Sequence, residues 1–229
     1  MLKVVVLVSG GKDSVLALWL AMHQFEVTSI LSVRSSCPDS LLFHIPNSHL
    51  VTLIAEMLEI PHKIVLIDSC KVKDEVLSLK EALIETGAEA VVTGGIQSEF
   101  QRTKFNRSAQ LANMKCINPL WRISPDIIMS ELIDNKFRVI ITSVTSMGLN
   151  KALLGKEITS EALERLKKAE VNSGLSLIGE GGEFESSVID APFFPSFIEI
   201  LEANVHWNES REEGYYEILK VRCRPKNKI

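Results

Sequence analysis

At 229 residues, 46% hydrophobic and 24% charged, the chain has the composition of a globular protein with room for one large domain or two small ones. A formal net charge of -4 argues against a whole surface built to coat nucleic acid and leaves only a local basic patch for such a role. No apolar stretch approaches the roughly 20 residues that span a bilayer, and the four cysteines, Cys37, Cys70, Cys116 and Cys223, include no C-x-x-C pair, which speaks against a zinc ribbon or an iron–sulfur cluster.

Taken in chain order, residues 2–8 read as a strand and 14–24 as an amphipathic helix, with Val15, Leu18, Trp19 and Met22 at i, i+3, i+4 and i+7. Glu26 to Val33 reads as a second strand, and Leu50, Leu53, Ile54 and Met57 mark a second helix after a polar loop. His62 to Asp68 is a third strand, 72–86 a third helix, and Ala90 to Thr93 a short buried strand ending in Gly94-Gly95. Ser98 and Gln101 form a capping box that opens a fourth helix with Phe105, Ala109 and Ala112 as its buried stripe. Lys115 to Ile117 gives a fifth strand, closed by Pro119. This alternation implies an α/β fold, a Rossmann-like parallel sheet with helices on both faces.

After Trp121 the rhythm changes. A helix is expected from Asp126 to Asn135, a strand from Phe137 to Ser143, and a helix from Ser160 to about Val171. Ile198 to Trp207 and Tyr216 to Cys223 read as antiparallel strands joined by a polar turn, with Leu219, Val221 and Cys223 on one face. The expected division is therefore a first domain over 1–123 and a smaller α+β domain over 124–229. Lys3 runs directly into the first strand, so no secretory leader is expected, and scattered thiols fit a cytoplasmic setting.

The chemistry concentrates at the first strand-to-helix junction, Ser9-Gly10-Gly11-Lys12-Asp13-Ser14. Adjacent glycines let the backbone turn and approach an anion. The N–H groups opening the helix have no internal acceptors and point at whatever the loop holds. Ser9 and Ser14 add hydroxyls and Lys12 a mobile positive charge. A solvated turn capped by Asp13 or Ser14 is the plainer alternative, but six suitable residues in succession outweigh it. The pattern is neither G-x-x-x-x-G-K-[ST], since Val6 stands five before Gly11 and Asp13 follows Lys12, nor G-x-G-x-x-G.

Ligands of open parallel sheets gather beyond the carboxyl ends of the strands, which selects this loop, the Val33-Arg34 tip and the Gly94-Gly95 tip. The helix from Ser98 starts at the same mouth, so Gln101 or Arg102 is placed to reach a phosphate or carboxylate, against the plainer reading of a solvated face. A second constellation is Gly179-Glu180-Gly181-Gly182-Glu183-Phe184-Glu185-Ser186. Its carboxylates repel one another unless Mg²⁺, ammonium or a cationic substrate sits among them, the plainer alternative being an acidic surface turn.

The first motif resembles the PP-loop of the N-type ATP pyrophosphatases, which split ATP between the α and β phosphates. With His44-Ile45-Pro46-Asn47, Thr93-Gly94-Gly95-Ile96, Ser98-Glu99-Phe100-Gln101, Pro119-Leu120-Trp121 and Glu180–Ser186, the whole chain resembles the diphthine–ammonia ligase (diphthamide synthase) family. Ile45 departs from it, standing where many relatives have threonine. The resemblance implies a fold like the adenine nucleotide alpha hydrolases and a reaction in which diphthine on elongation factor 2, ammonium and ATP give diphthamide, AMP and pyrophosphate. It implies that Ser9, Gly10, Gly11, Lys12, Asp13 and Ser14 hold the phosphates, with Val33, Gly94 and Gly95 completing the nucleotide site. Asp13 would help place Mg²⁺, and Lys12, Asp13 and Glu183 would be catalytic. Ser98, Gln101, Arg102, Glu180, Gly181, Gly182, Glu183, Phe184 and Glu185 would meet substrate, with Phe184 either stacking on the trimethylammonium group or anchoring the loop.

Free ammonium is the simpler expected nitrogen donor, unless a separate amidotransferase subunit binds, because the chain opens Met1-Leu2-Lys3 without a cysteine nucleophile and its length is used by the two domains. That plan is compatible with a homodimer. Two other readings stay open: a PP-loop enzyme modifying tRNA, which the acidic balance disfavours, and a non-enzymatic adenine-nucleotide sensor, which has no use for the glutamate-rich loop.

Overall fold

The computed structural model describes residues 1–35, 47, 49–69, 71–145 and 149–226, which form two compact units, Met1–Arg122 and Ile123–Ile229. In the first, strands β1 (Lys3–Leu7), β2 (Glu26–Ser35), β3 (His62–Ile67), β4 (Ala90–Val92) and β5 (Lys115–Ile117) alternate with helices α1 (Lys12–Gln24), α2 (Leu50–Met57), α3 (Val72–Thr86) and α4 (Glu99–Leu111). Every strand pairing is parallel, in the order β3-β2-β1-β4-β5. The apolar runs account for the centre of the sheet: Val4, Val5 and Val6 of β1 and Ala90, Val91 and Val92 of β4 are each 0% exposed, as strands covered on both faces must be. On one face Leu79 and Leu83 of α3 and Ala109 of α4 meet Val5, Leu31, Val33 and Val91, with Phe105 and Ala112 at the margin. The strand order turns at β1, flanked by β2 and β4, so a ligand crevice opens beyond Leu7 and Val92.

Helix α1 starts at Lys12, two residues before its expected start, and its buried set differs from the expected stripe. Val15, Leu16, Ala17, Leu18 and Ala21 are buried, while Met22 is exposed. The helix lies against β1, β2 and β4, so its middle is covered on more than one face and only its last turn reaches solvent.

The second unit comprises α5 (Pro125–Asp134), β6 (Arg138–Val144), α6 (Ser160–Ser173), β7 (Phe184–Asp190), β8 (Ser196–Asn208) and β9 (Glu213–Pro225), with an antiparallel sheet ordered β7-β6-β9-β8. Strand β7 is not foreseen by periodicity, because it begins inside the glutamate-rich segment and Phe184 is followed by the polar run Glu185-Ser186-Ser187. In β9 the buried residue is Ile218, whereas Leu219 is exposed. Register shifts at Ile200/Glu202 and Glu202/Ala203 break the simple alternation from which the Leu219 face was expected. Among the described residues no helix is long and apolar enough to cross a membrane.

Candidate functional site

The turn between β1 and α1 is closed by its own hydroxyls. Ser14 Oγ donates to the Gly11 carbonyl (3.0 Å), accepts from the Ser9 N–H (3.1 Å) and lies 3.0 Å from Ser9 Oγ, which accepts from the Gly11 N–H (3.4 Å). Gly10 takes φ +88°, a left-handed conformation that a side chain would strain. Gly11 is the N-cap and no side chain caps the helix, so neither Asp13 nor Ser14 has the capping role of the plainer alternative. The result is a turn closed by its own side chains at the start of a helix, where the opening amides lack intrahelical acceptors.

Lys12 departs from its expected mobility. It is 3% exposed, and its Nζ is 3.0 Å from Asp13 Oδ2. A buried ammonium is stable only beside a counter-charge, and Asp13 supplies it. The charge beside the loop is thus fixed in place before any ligand arrives, which suits stabilisation of charge that develops during a reaction.

Gly94 makes a close approach to the loop's own backbone: a Cβ there would lie 2.7 Å from both Asp13 C and Ser14 N. At Gly95 the nearest atoms would be 3.8 and 4.0 Å away, ordinary contact. Next to them Thr93, 1% exposed, donates to Asn118 Oδ1 (2.5 Å) and so ties the end of β4 to the end of β5. Thr93 is part of the Thr93–Ile96 motif of the resemblance, without a role of its own, and Asn118 has no signal beyond the Asn-Pro step that closes β5. Burial pushes the Cys116 thiol up to about 11, opposed by its contact with Asn118 and by the Arg102 charge.

At the tip of β2, Val33 is 6% exposed, its side chain in the core with Leu79 and Leu83 of α3. Ser32 Oγ lies 2.7 Å from His62 Nε2, and burial, with Arg34 nearby, lowers the pKa of His62 and of His49. The expected pieces His44, Ile45 and Pro46, and Cys37 and Cys70, lie outside the described residues.

The start of α4 matches expectation, with Ser98 Oγ accepting from the Gln101 N–H (3.3 Å). Arg102 is engaged within the unit: its Cζ stands 4.5 Å from the Trp121 ring centroid and its Nη1 3.4 Å from Glu99 Oε2.

The glutamate-rich segment belongs to the second unit. Gly179 accepts no Cβ, which would fall 2.6 Å from the Phe184 carbonyl oxygen, and Thr145 Oγ1 donates to the Gly182 carbonyl. Phe184 is 2% exposed, its ring 3.2 Å from where a Gly179 Cβ would stand. Glu183 Oε1 accepts from the Ser176 N–H (2.8 Å), while its Oε2 is buried with no hydrogen-bond partner among the described residues. Glu180 and Glu185 are half-buried and Gly181 and Gly182 exposed. The segment is therefore a built turn holding Glu183 by one oxygen, not a self-repelling acidic surface.

A parallel sheet with a Ser-Gly-Gly-Lys-Asp-Ser turn at its switch point defines the PP-loop class of nucleotide-binding α/β proteins. Within it, the family model described as the diphthamide synthase N-terminal domain matches residues 2–116, and that described as its C-terminal domain matches 124–223. The chain belongs to the diphthamide synthase family. Among curated relatives, the diphthine–ammonia ligase of Schizosaccharomyces pombe is 27% identical over 99% of this chain, which spans 40% of that protein's length. The diphthine–ammonia ligase of Danio rerio is 24% identical over 100% of this chain and 99% of its own. Among solved structures, a "predicted subunit of tRNA methyltransferase" from Methanocaldococcus jannaschii is 15% identical, covers 83% of this chain and 98% of that one, and has a TM-score of 0.42. At that score the fold rests on the sheet order given above and not on the likeness.

Proposed function

We propose that this chain is an ATP-dependent, AMP-forming ligase that adenylates the carboxylate of diphthine on elongation factor 2 and amidates it with ammonium, in a cytoplasmic setting. The observation that carries the reading is the closed turn from Ser9 to Ser14 at the switch point, with its ion-paired Lys12, in a chain of the diphthamide synthase family. The chemistry requires such a turn. A carboxylate does not react with ammonia at neutral pH, because oxide or hydroxide would have to leave. Attack of one carboxylate oxygen on the α-phosphorus of ATP expels pyrophosphate and leaves an acyl-adenylate. Ammonia then adds to the acyl carbon, AMP leaves with the bonding electrons, and a proton is lost from nitrogen. The loop amides, the Ser9 and Ser14 hydroxyls and Lys12 would hold the pyrophosphate as its charge grows.

Among the described residues no group of three or more His, Cys, Asp or Glu converges as a metal cage. Mg²⁺ ordinarily takes one or two carboxylates and keeps several waters, and Asp13 is a carboxylate of the turn that could serve an ion held mainly by the phosphates. In the second unit, the buried Oε2 of Glu183 supports a role in receiving a cation, either ammonium or the trimethylammonium group, or in taking the proton from nitrogen. Glu180 and Glu185 flank it.

The test is incubation with ATP, Mg²⁺, ammonium and diphthine-bearing elongation factor 2. The expected result is AMP in step with a mass change on the factor equal to replacement of OH by NH₂. Intact ATP, or ADP as product, would refute the reading.

A further inference from the structure

The exits of β4 and β5 hold a group of charged side chains around one indole. Trp121, half-buried, carries two guanidinium groups: Arg102 Cζ is 4.5 Å from its ring centroid and Arg122 Cζ 5.8 Å. One carboxylate serves both, with Glu99 Oε2 3.4 Å from Arg102 Nη1 and Glu99 Oε1 3.2 Å from Arg122 Nη2. The four side chains therefore carry a surplus positive charge. The side chains of Arg102 and Arg122 are 38% and 74% exposed, so an anion can reach them.

The group is built, not incidental. Arg122 sits at φ +59°, a conformation that costs a non-glycine residue energy, and its N–H donates to the Ile96 carbonyl (2.8 Å). The Trp121 N–H donates to the Asn118 carbonyl (3.1 Å). The first bond ties the exit of β5 to the exit of β4 next to Gly95, where a Cβ would meet only ordinary contacts at 3.8 and 4.0 Å, and the second closes the turn after β5. Guanidinium groups stacked on an indole keep their N–H edges available for planar oxygen pairs. The strand order adds the direction: β2 lies on one side of the phosphate turn and β4 and β5 on the other. Position alone thus puts this group on the flank opposite β2.

We propose that Arg102 and Arg122, held on Trp121 and balanced by Glu99, bind the carboxylate-bearing co-substrate on the β4–β5 side of the phosphate turn, with Trp121 as the positioning residue. This inference rests on the ligase reading. Two charged hydrogen bonds to a carboxylate would orient one of its oxygens for attack while leaving ATP binding to the turn.

The experiment uses the full chain, with Arg122→Gln, Trp121→Ala and Trp121→Phe. ATP affinity is measured by calorimetry without co-substrate, and AMP formation is followed against the concentration of diphthine-bearing elongation factor 2. Arg122→Gln and Trp121→Ala are expected to raise KM for the factor roughly ten- to a hundredfold, leaving the ATP Kd unchanged. Trp121→Phe, which keeps an aromatic face for both guanidiniums, is expected to restore most of that loss. Added salt should raise the wild-type KM and have less effect on Arg122→Gln. An unchanged KM in Arg122→Gln, a parallel loss of ATP affinity, or a Trp121→Phe as poor as Trp121→Ala overturns the proposal. If the wild type forms no AMP with this factor, the ligase reading itself fails and this site falls with it; if the wild type turns over normally and the variants match it, only this inference is lost.

Discussion

Gly94→Ala tests how the crevice is assembled. The added Cβ would lie 2.7 Å from Asp13 C and Ser14 N and 2.8 Å from Asp13 O, against the 3.4 Å at which ordinary contact begins, a deficit of about 0.7 Å. The atoms it meets are backbone, so no flexible side chain can swing aside, and either β4 or the first turn of α1 must move. Overpacking of this kind costs about 1–3 kcal/mol. The same displacement shifts the amides and the Lys12–Asp13 pair; if most of that cost falls on the bound state, ATP binding weakens by about five- to a hundredfold, one factor of ten for each 1.4 kcal/mol. Gly95→Ala is the internal control, since its Cβ would find its nearest neighbours at 3.8 and 4.0 Å. Urea unfolding followed by circular dichroism and ATP calorimetry on both variants provide the measurement. A Gly94→Ala protein as stable and as tight for ATP as the wild type would show that the turn does not depend on this contact. A Gly95→Ala protein that kept its stability but lost ATP would move the ligand's close approach to Gly95.

Lys12→Ala is expected to lower the rate of AMP formation by about 10²–10³, the loss typical of one preorganised charge-stabilising donor, measured as pyrophosphate release at saturating substrate. Glu183→Gln should leave ATP binding intact and stop amide formation; complete loss of ATP binding in that variant would contradict the division of labour between the loop of the first unit and the glutamate turn of the second. The pKa of His62 lies below its ordinary 6.5, through burial and then the Arg34 charge, so the unfolded chain binds the extra proton first. Stability should therefore fall as pH drops below about 6.5 and level off once pH is below the folded-state value, and His62→Asn should flatten part of that slope in urea midpoints taken across pH, His49 contributing the rest in the same direction. An unchanged slope in His62→Asn would remove His62 from the cause.

The first unit was legible because its signals are local. Uninterrupted runs such as Val4–Val8 and Ala90–Val92 announce strands covered on both faces, and the Ser98 cap and the 72–86 helix fall where capping and spacing put them. The Ser9–Ser14 turn between β1 and α1 was legible for the same reason, since its glycines, hydroxyls and lysine are consecutive. What pairing in three dimensions decides was not legible. Gly94 serves a contact with residues some eighty positions earlier, Lys12 is buried by packing that no spacing encodes, and Trp121 gains its meaning from Arg102 on another element. In the second unit, β7 begins in a segment whose composition argues against a strand, because its register comes from β6 and its turn from Gly179 and Phe184. The alternation expected in β9 failed for a similar reason, at bulges set by β8.

The most direct test of the account labels the oxygens of the diphthine carboxylate with a heavy isotope and follows them by mass spectrometry through a single turnover with ATP and ammonium. Attack of the carboxylate on the α-phosphorus predicts one labelled oxygen in the AMP released and one retained in the amide. AMP without label, or label in inorganic phosphate with ADP as the nucleotide product, would contradict it.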